Sequence, residues 1–148
     1  MTSINARGVV DASGEASTTQ RLWSSSHLNT TPPSINELPL DTRNVKYRRA
    51  RSQWQSDMAW LMQEKGNVLP RGLASVEASA FLTFTTSRRR DEGNYRSHLE
   101  KWLGDVLQAT DRLTDDTPEY YRFGDCVIET GDREATIIVI KYTLGETA

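Results

Sequence analysis

The sequence predicts an α+β fold, with a small mixed β-sheet and two main helices. Three observations carry the prediction. Residues 73–86 alternate apolar and polar. Residues 44–65 and 94–110 each gather their apolar side chains on one helical stripe, and residues 121–144 hold two further β-rich runs. A chain of 148 residues suits one ordinary domain.

Residues 1–36 read as a disordered or weakly ordered tail, leaving residues 37–148 as the folded domain. Ser, Thr, Gly and Asn dominate residues 11–31, which show neither helical nor strand period, and Pro32-Pro33 closes the stretch. In the first helix Tyr47, Trp54, Met58, Leu61 and Met62 share a stripe. Asp41-Thr42 is the expected N-cap, and Gly66 with Pro70 supplies the stop. The strand at 73–86 turns Val76, Ala78, Ala80, Leu82 and Phe84 to one face. In the second helix Tyr95, Leu99, Trp102, Leu103, Val106 and Leu107 form the apolar arc, while Asn94, His98, Lys101 and Asp105 lie opposite. Strands at 121–130 and 134–144 are expected to pair as a hairpin through Gly131-Asp132. Both faces of the last strand are largely apolar, which predicts a central strand or one covered by a partner subunit.

Composition excludes several classes of function. The chain contains no apolar run of the ~18 residues that span a bilayer and no secretory leader pattern, so no membrane partner and a cytoplasmic location are expected. Cys126 stands alone, so a disulfide framework and a cysteine-rich zinc site are excluded. His27 and His98 are the only histidines, so a metal here requires oxygen ligands. Net charge is only −2, but it is unevenly spread. Residues 41–90 carry ten basic and four acidic groups, and residues 91–135 carry five basic and twelve acidic. That split suits a basic binding surface beside a carboxylate cluster, or equally two solvated faces of opposite sign.

Arg43, Lys46, Arg48, Arg49 and Arg51 crowd the start of the first helix, a placement that favours phosphate contact. Arg88, Arg89 and Arg90 close the following strand and run into Asp91 and Glu92. Asp91 at the strand end, Asp105 on the helix and Asp116 in the next loop are expected to converge, with Glu92 and Asp115 in support. Crowded carboxylates repel unless a cation neutralises them, and Mg²⁺ suits such a set. A metal so held activates water for phosphodiester displacement. Lys101, one turn before Asp105, either stabilises developing phosphate charge or forms a plain i,i+4 ion pair.

These parts resemble RusA-type Holliday junction resolvases, small phage- and prophage-borne endonucleases. The resemblance rests on Arg88-Arg89-Arg90-Asp91-Glu92-Gly93-Asn94, Glu100-Lys101-Trp102-Leu103-Gly104-Asp105-Val106-Leu107 and Leu113-Thr114-Asp115-Asp116. The family pattern is an Arg-rich strand end, Asp-x-Asp-Asn, a lysine, Asp-Ala-Leu four residues beyond it, and a terminal Asp-Asp. Gly93 stands where the family has its second Asp, and the gap from Asn94 to Lys101 is longer by four residues. The Asp-Glu-Gly-Asn form is similar to an actinobacterial and actinophage branch, with Glu92 or Glu100 as the replacement carboxylate. The resemblance implies an intertwined homodimer that resolves four-way DNA junctions with Mg²⁺ and no small-molecule cofactor, in a bacterial, phage or prophage setting. It implies Asp91, Lys101 and Asp116 as catalytic residues and Asp91, Asp105 and Asp116 as metal ligands. The alternatives from the residues are a non-catalytic branched-DNA binder and a phage interaction protein.

Overall fold

Alternation in the 73–86 run builds the strand around which the rest assembles. The computed structural model describes residues 20–25 and 28–145. Its elements are β1 (Gln20–Ser24), α1 (Val45–Met62), β2 (Leu73–Phe84), α2 (Glu92–Ala109), β3 (Tyr121–Thr130) and β4 (Ala135–Leu144). One mixed sheet has the order β1-β4-β2-β3, with β2 parallel to β3 and antiparallel to β4, and β1 antiparallel to β4. With two helices, this is an α+β fold. Among the described residues no helix is long and apolar enough to cross a membrane.

The period of two decides which face of β2 is buried. Ala78 and Ala80 sit in register with Ile140 and Ile138 of β4 and with Phe123 and Cys126 of β3. All six are buried, and they share one core with Trp54, Met58 and Met62 of α1 and Leu99, Trp102 and Leu107 of α2. Among the described residues the opposite face is left open. There Phe81 lies between Ile137 and Val127, and Glu77 lies beside Lys141.

Both helices begin on a side-chain cap. Asn44 Oδ1 accepts from the Lys46 and Tyr47 N–H groups at 2.8 and 3.2 Å. The cap therefore falls two residues beyond Asp41-Thr42, because Asp41 is used one turn earlier, where its carboxylate accepts from Arg43 N–H at 3.0 Å. At α2 the cap is Asp91.

Two expectations fail here. The predicted hairpin does not form, because β2 lies between β3 and β4 and pairs with both. The chain leaves β3 over the end of β2, where Gly131 N–H donates to Phe84 O at 2.9 Å. A Cβ on Gly131 would meet Thr83 Cγ2 at 2.7 Å, so a larger residue at the crossing would have to displace the Thr83 side chain. Gly131 marks a close backbone approach, where the sequence suggested a two-residue turn. β4 is internal, as its apolar faces predicted.

The tail boundary also moves. Gln20–Ser24 form strand β1, and Trp23 is buried with Nε1 donating to Asn67 O at 2.9 Å. Asn67 Nδ2 returns a bond to Ser24 O at 2.9 Å. Residues 28–38 continue this cover: Leu28 bridges to Thr136, Pro32 is buried, and Ile35 N–H donates to Asn94 O at 2.9 Å. An edge strand takes its energy from backbone pairing and needs few apolar side chains, so polar composition concealed it. Residues 1–19, and His27, lie outside the described residues.

Candidate active site

Helix α2 acts as a ruler for the expected carboxylate cluster. Asp91 caps its start and Asp105 lies fourteen residues on, which at 1.5 Å per residue is about 21 Å along the axis. Ligands of one metal ion sit within ~2.5 Å of it, so these two cannot share one within a chain. Among the described residues no group of three or more Asp, Glu, His or Cys could hold a metal ion. The predicted trio of Asp91, Asp105 and Asp116 is therefore not assembled.

Asp91 belongs to a different place. Its Oδ1 accepts the Gly93 N–H at 3.0 Å, the ordinary work of an N-cap. With Arg88, Arg89, Glu92 and Glu129 it lines an open cleft of about 690 Å³ at the end of β3. A Cβ on Gly93 would stand 3.4 Å from Asp91 Oδ1, an ordinary contact distance.

The other expected residues do gather, about three to four turns down α2. Buried Gly104 is the reason. A Cβ there would lie 3.0 Å from the Tyr121 ring and 3.5 Å from Asp116 Cβ, so glycine lets the 113–118 loop and the start of β3 close against α2. Asp116 thereby reaches the turn that carries Asp105. Lys101 Nζ lies 3.5 Å from Asp105 Oδ2, and both side chains are partly exposed. Asp115 is used locally, its Oδ1 accepting the Asp116 N–H at 2.7 Å. Asp116 itself is exposed.

Tyr121 registers the charge of this cluster. It is buried, and its hydroxyl donates to Glu100 O at 2.7 Å. Burial, followed by the negative charge of Glu100, pushes its ionisation well above the ordinary phenol range; Asp116 and Asp105 add to this, and Arg96 opposes it. Arg96 also pairs with Glu100 at 3.0 Å and donates to the carbonyls of Phe123 and Gly124. Neither Tyr121 nor Arg96 was singled out from sequence. Both are recognisable only once β3 is known to run beside α2.

The donor set can be tested against Mg²⁺. Asp105 and Asp116 offer hard carboxylate oxygens at a solvent-open surface, whereas Glu100 is already held by Arg96. One or two carboxylates with retained waters is the usual Mg²⁺ arrangement, so this pair fits the ion. Asp91 does not contribute to it.

The basic residues divide by what their side chains already do. Lys46, Arg48 and Arg49 are exposed at the start of α1, and Arg43 pairs with Asp41 at 3.4 Å. Arg51 packs over the Tyr47 ring, 5.6 Å from its centroid. Arg88 and Arg89 are exposed, but Arg90 is not free for phosphate. Its guanidinium lies 3.9 Å from the Phe84 ring centroid and donates to Thr86 O, Thr86 Oγ1 and Arg88 O. Arg90 builds the loop that leads into α2.

His98 leaves the polar arc altogether. It is fully buried, stacked on Trp102 at 4.7 Å, with Nε2 2.7 Å from Leu38 O. Tyr47 of α1 packs against both rings, its centroid 5.6 Å from His98 and 5.8 Å from Trp102.

Comparison of the chain with protein-family models and with curated proteins finds no match.

Proposed function

We propose that this protein is a Mg²⁺-dependent endonuclease of branched DNA, four-way junctions in particular, with Asp105, Asp116 and Lys101 as its reacting groups. The observation that carries the reading is the approach of Asp116 to the Gly104–Asp105 turn, which puts two carboxylates and an ammonium on one exposed surface. Asp105 and Asp116 are the residues that would hold Mg²⁺, which when bound supplies Lewis acidity and an activated water for phosphodiester hydrolysis. Lys101 opposes the negative charge that grows on the phosphate during displacement. Arg48, Arg49, Arg88 and Arg89 hold the DNA arms through phosphate contacts. Tyr121 stays protonated and keeps the β3 start against α2, which fixes the separation of the two carboxylates.

Two symmetric nicks require two copies, and the open face of the sheet suits a two-fold contact. On that face Phe81 is in register with Ile137, and Glu77 with Lys141. A two-fold axis running between β2 and β4 stacks Phe81 on the partner's Ile137 and sets Glu77 against the partner's Lys141. An axis across the strands instead buries Glu77 against an apolar residue.

A second reading, a junction binder that does not cut, is favoured by the separation of Asp91 from the cluster, which leaves two carboxylates where three were expected. A synthetic four-way junction tests both. Paired nicks that require Mg²⁺ and vanish in Asp116→Asn support the nuclease. A mobility shift without nicks at any Mg²⁺ concentration supports the binder, and a junction that is neither cut nor shifted overturns the DNA reading.

A further inference from the structure

Beside the arginines already given to the DNA arms, the outward face of α1 carries an exposed aromatic ring that the site above does not use. Trp60 is 75% exposed, whereas the other three tryptophans, Trp23, Trp54 and Trp102, are buried. Among the described residues nothing covers this indole. At 100° per residue, Arg49, Ser56 and Trp60 fall within about 40° of one another, and Arg49 and Trp60 are about 16 Å apart along the axis. All three are exposed, and Lys46 and Arg48 flank the first turn. Among the described residues Lys46, Arg48 and Arg49 form no ion pair. The only acid on α1, Asp57, accepts from Gln53 Nε2 at 3.0 Å. The face is thus a basic strip that ends in an open aromatic ring.

We propose that this strip binds an unpaired nucleic-acid strand, with phosphates on Lys46 and Arg49 and a base stacked on Trp60. Charge complementarity selects a polyanion, and the indole selects one with accessible base faces. An intact duplex buries its bases in the stack and offers Trp60 only a sugar-phosphate edge. A strand with open bases, as at a frayed or branched end, offers both. At 3.4 Å per nucleotide the span from Arg49 to Trp60 covers on the order of five stacked nucleotides. Base-on-aromatic stacking tolerates any sequence, because every base has a π-face. The inference rests on the nucleic-acid part of the function proposed above, and not on its hydrolytic part.

The test is a fluorescence titration of the whole protein with a short oligothymidylate, beside a closed dumbbell duplex with no free ends. The three buried tryptophans make the change in acrylamide quenching a report on Trp60. The oligothymidylate is expected to quench emission and to shield Trp60 from acrylamide, and the dumbbell to do neither. Trp60→Ala should weaken oligothymidylate binding about tenfold, and Trp60→Phe should recover most of it. Both variants should melt with the wild-type protein, since the side chain is exposed. The proposal is overturned if oligothymidylate fails to bind, if it binds with Trp60 still open to acrylamide, or if Trp60→Ala binds as wild type. Shielding of Trp60 by raised protein concentration alone assigns the patch to self-association and also overturns it. Absence of junction cleavage with strand binding intact refutes the nuclease and leaves this inference standing.

Discussion

Replacing Asp91 distinguishes a helix cap from a metal ligand. Asp91 Oδ1 accepts the Gly93 N–H at 3.0 Å at the exposed start of α2. Removing such a cap costs about 1 kcal/mol. For a domain of this length that lowers the melting midpoint by about 3 °C. Asp91→Ala is therefore expected to melt about 3 °C below wild type. Asp91→Asn and Asp91→Ser should recover most of the difference, because their oxygens cap a helix as well as a carboxylate does. None of the three should change single-turnover junction cleavage by more than about threefold, since Asp91 stands about 20 Å from Asp105 along α2. Melting is followed by circular dichroism and cleavage at saturating Mg²⁺. Loss of cleavage by a hundredfold in Asp91→Asn, with its melting intact, would return Asp91 to the reacting groups and refute this reasoning.

Three further outcomes follow from the same contacts. Trp23→Ala should cost about 3–5 kcal/mol in urea unfolding, the usual range for emptying a large aromatic site, and a chain starting at Pro32 should lose its cooperative melt together with β1; an unchanged melt in that truncation contradicts the role given to β1. Lys101→Ala removes a partly exposed i,i+4 pair, so stability should fall by a few tenths of a kcal/mol, while single-turnover cleavage falls about a hundredfold and junction affinity stays within about threefold; equal cleavage assigns Lys101 to the ion pair alone. Burial holds the His98 imidazole below its ordinary pKa of 6.5 despite the bond to Leu38 O. A lowered folded pKa gives stability that is complete above pH 6.5 and lost as pH falls below it, so the urea midpoint should drop from pH 7.5 to 5.5, and by less in His98→Gln; equal drops in both proteins argue against the assignment.

Short-range pattern made most elements legible. The alternation of Val76, Ala78, Ala80, Leu82 and Phe84 marked β2, and the stripes of Tyr47–Met62 and Tyr95–Leu107 marked both helices, because burial imposes those periods directly. What depends on partners distant in sequence was hidden. Gly131-Asp132 has the local form of a hairpin turn, yet β2 takes the place between β3 and β4. His98 has the helical phase of a wet position until Tyr47 of α1 packs over it. β1 gave almost no signal, since Trp23 is the only buried residue of that strand. The candidate site was legible in part. The spacing of Lys101 to Asp105 gives the i,i+4 ion pair that was one of its two readings, and Asp116 joins them through Gly104. The inclusion of Asp91 failed on a rigid helix of known rise, a distance that the sequence already contained.

The proposed Mg²⁺ site lies at the Asp105 turn of α2 and not at its Asp91 cap, and amide NMR with trace Mn²⁺ in place of Mg²⁺ tests that position directly. Mn²⁺ shares the oxygen-ligand preference of Mg²⁺ and broadens the resonances of nearby nuclei. Broadening is expected at the Lys101, Gly104, Asp105 and Asp116 amides, with the Gly93 and Asn94 amides spared. Broadening centred on Gly93 and Asn94, with Asp105 and Asp116 unaffected, would contradict it.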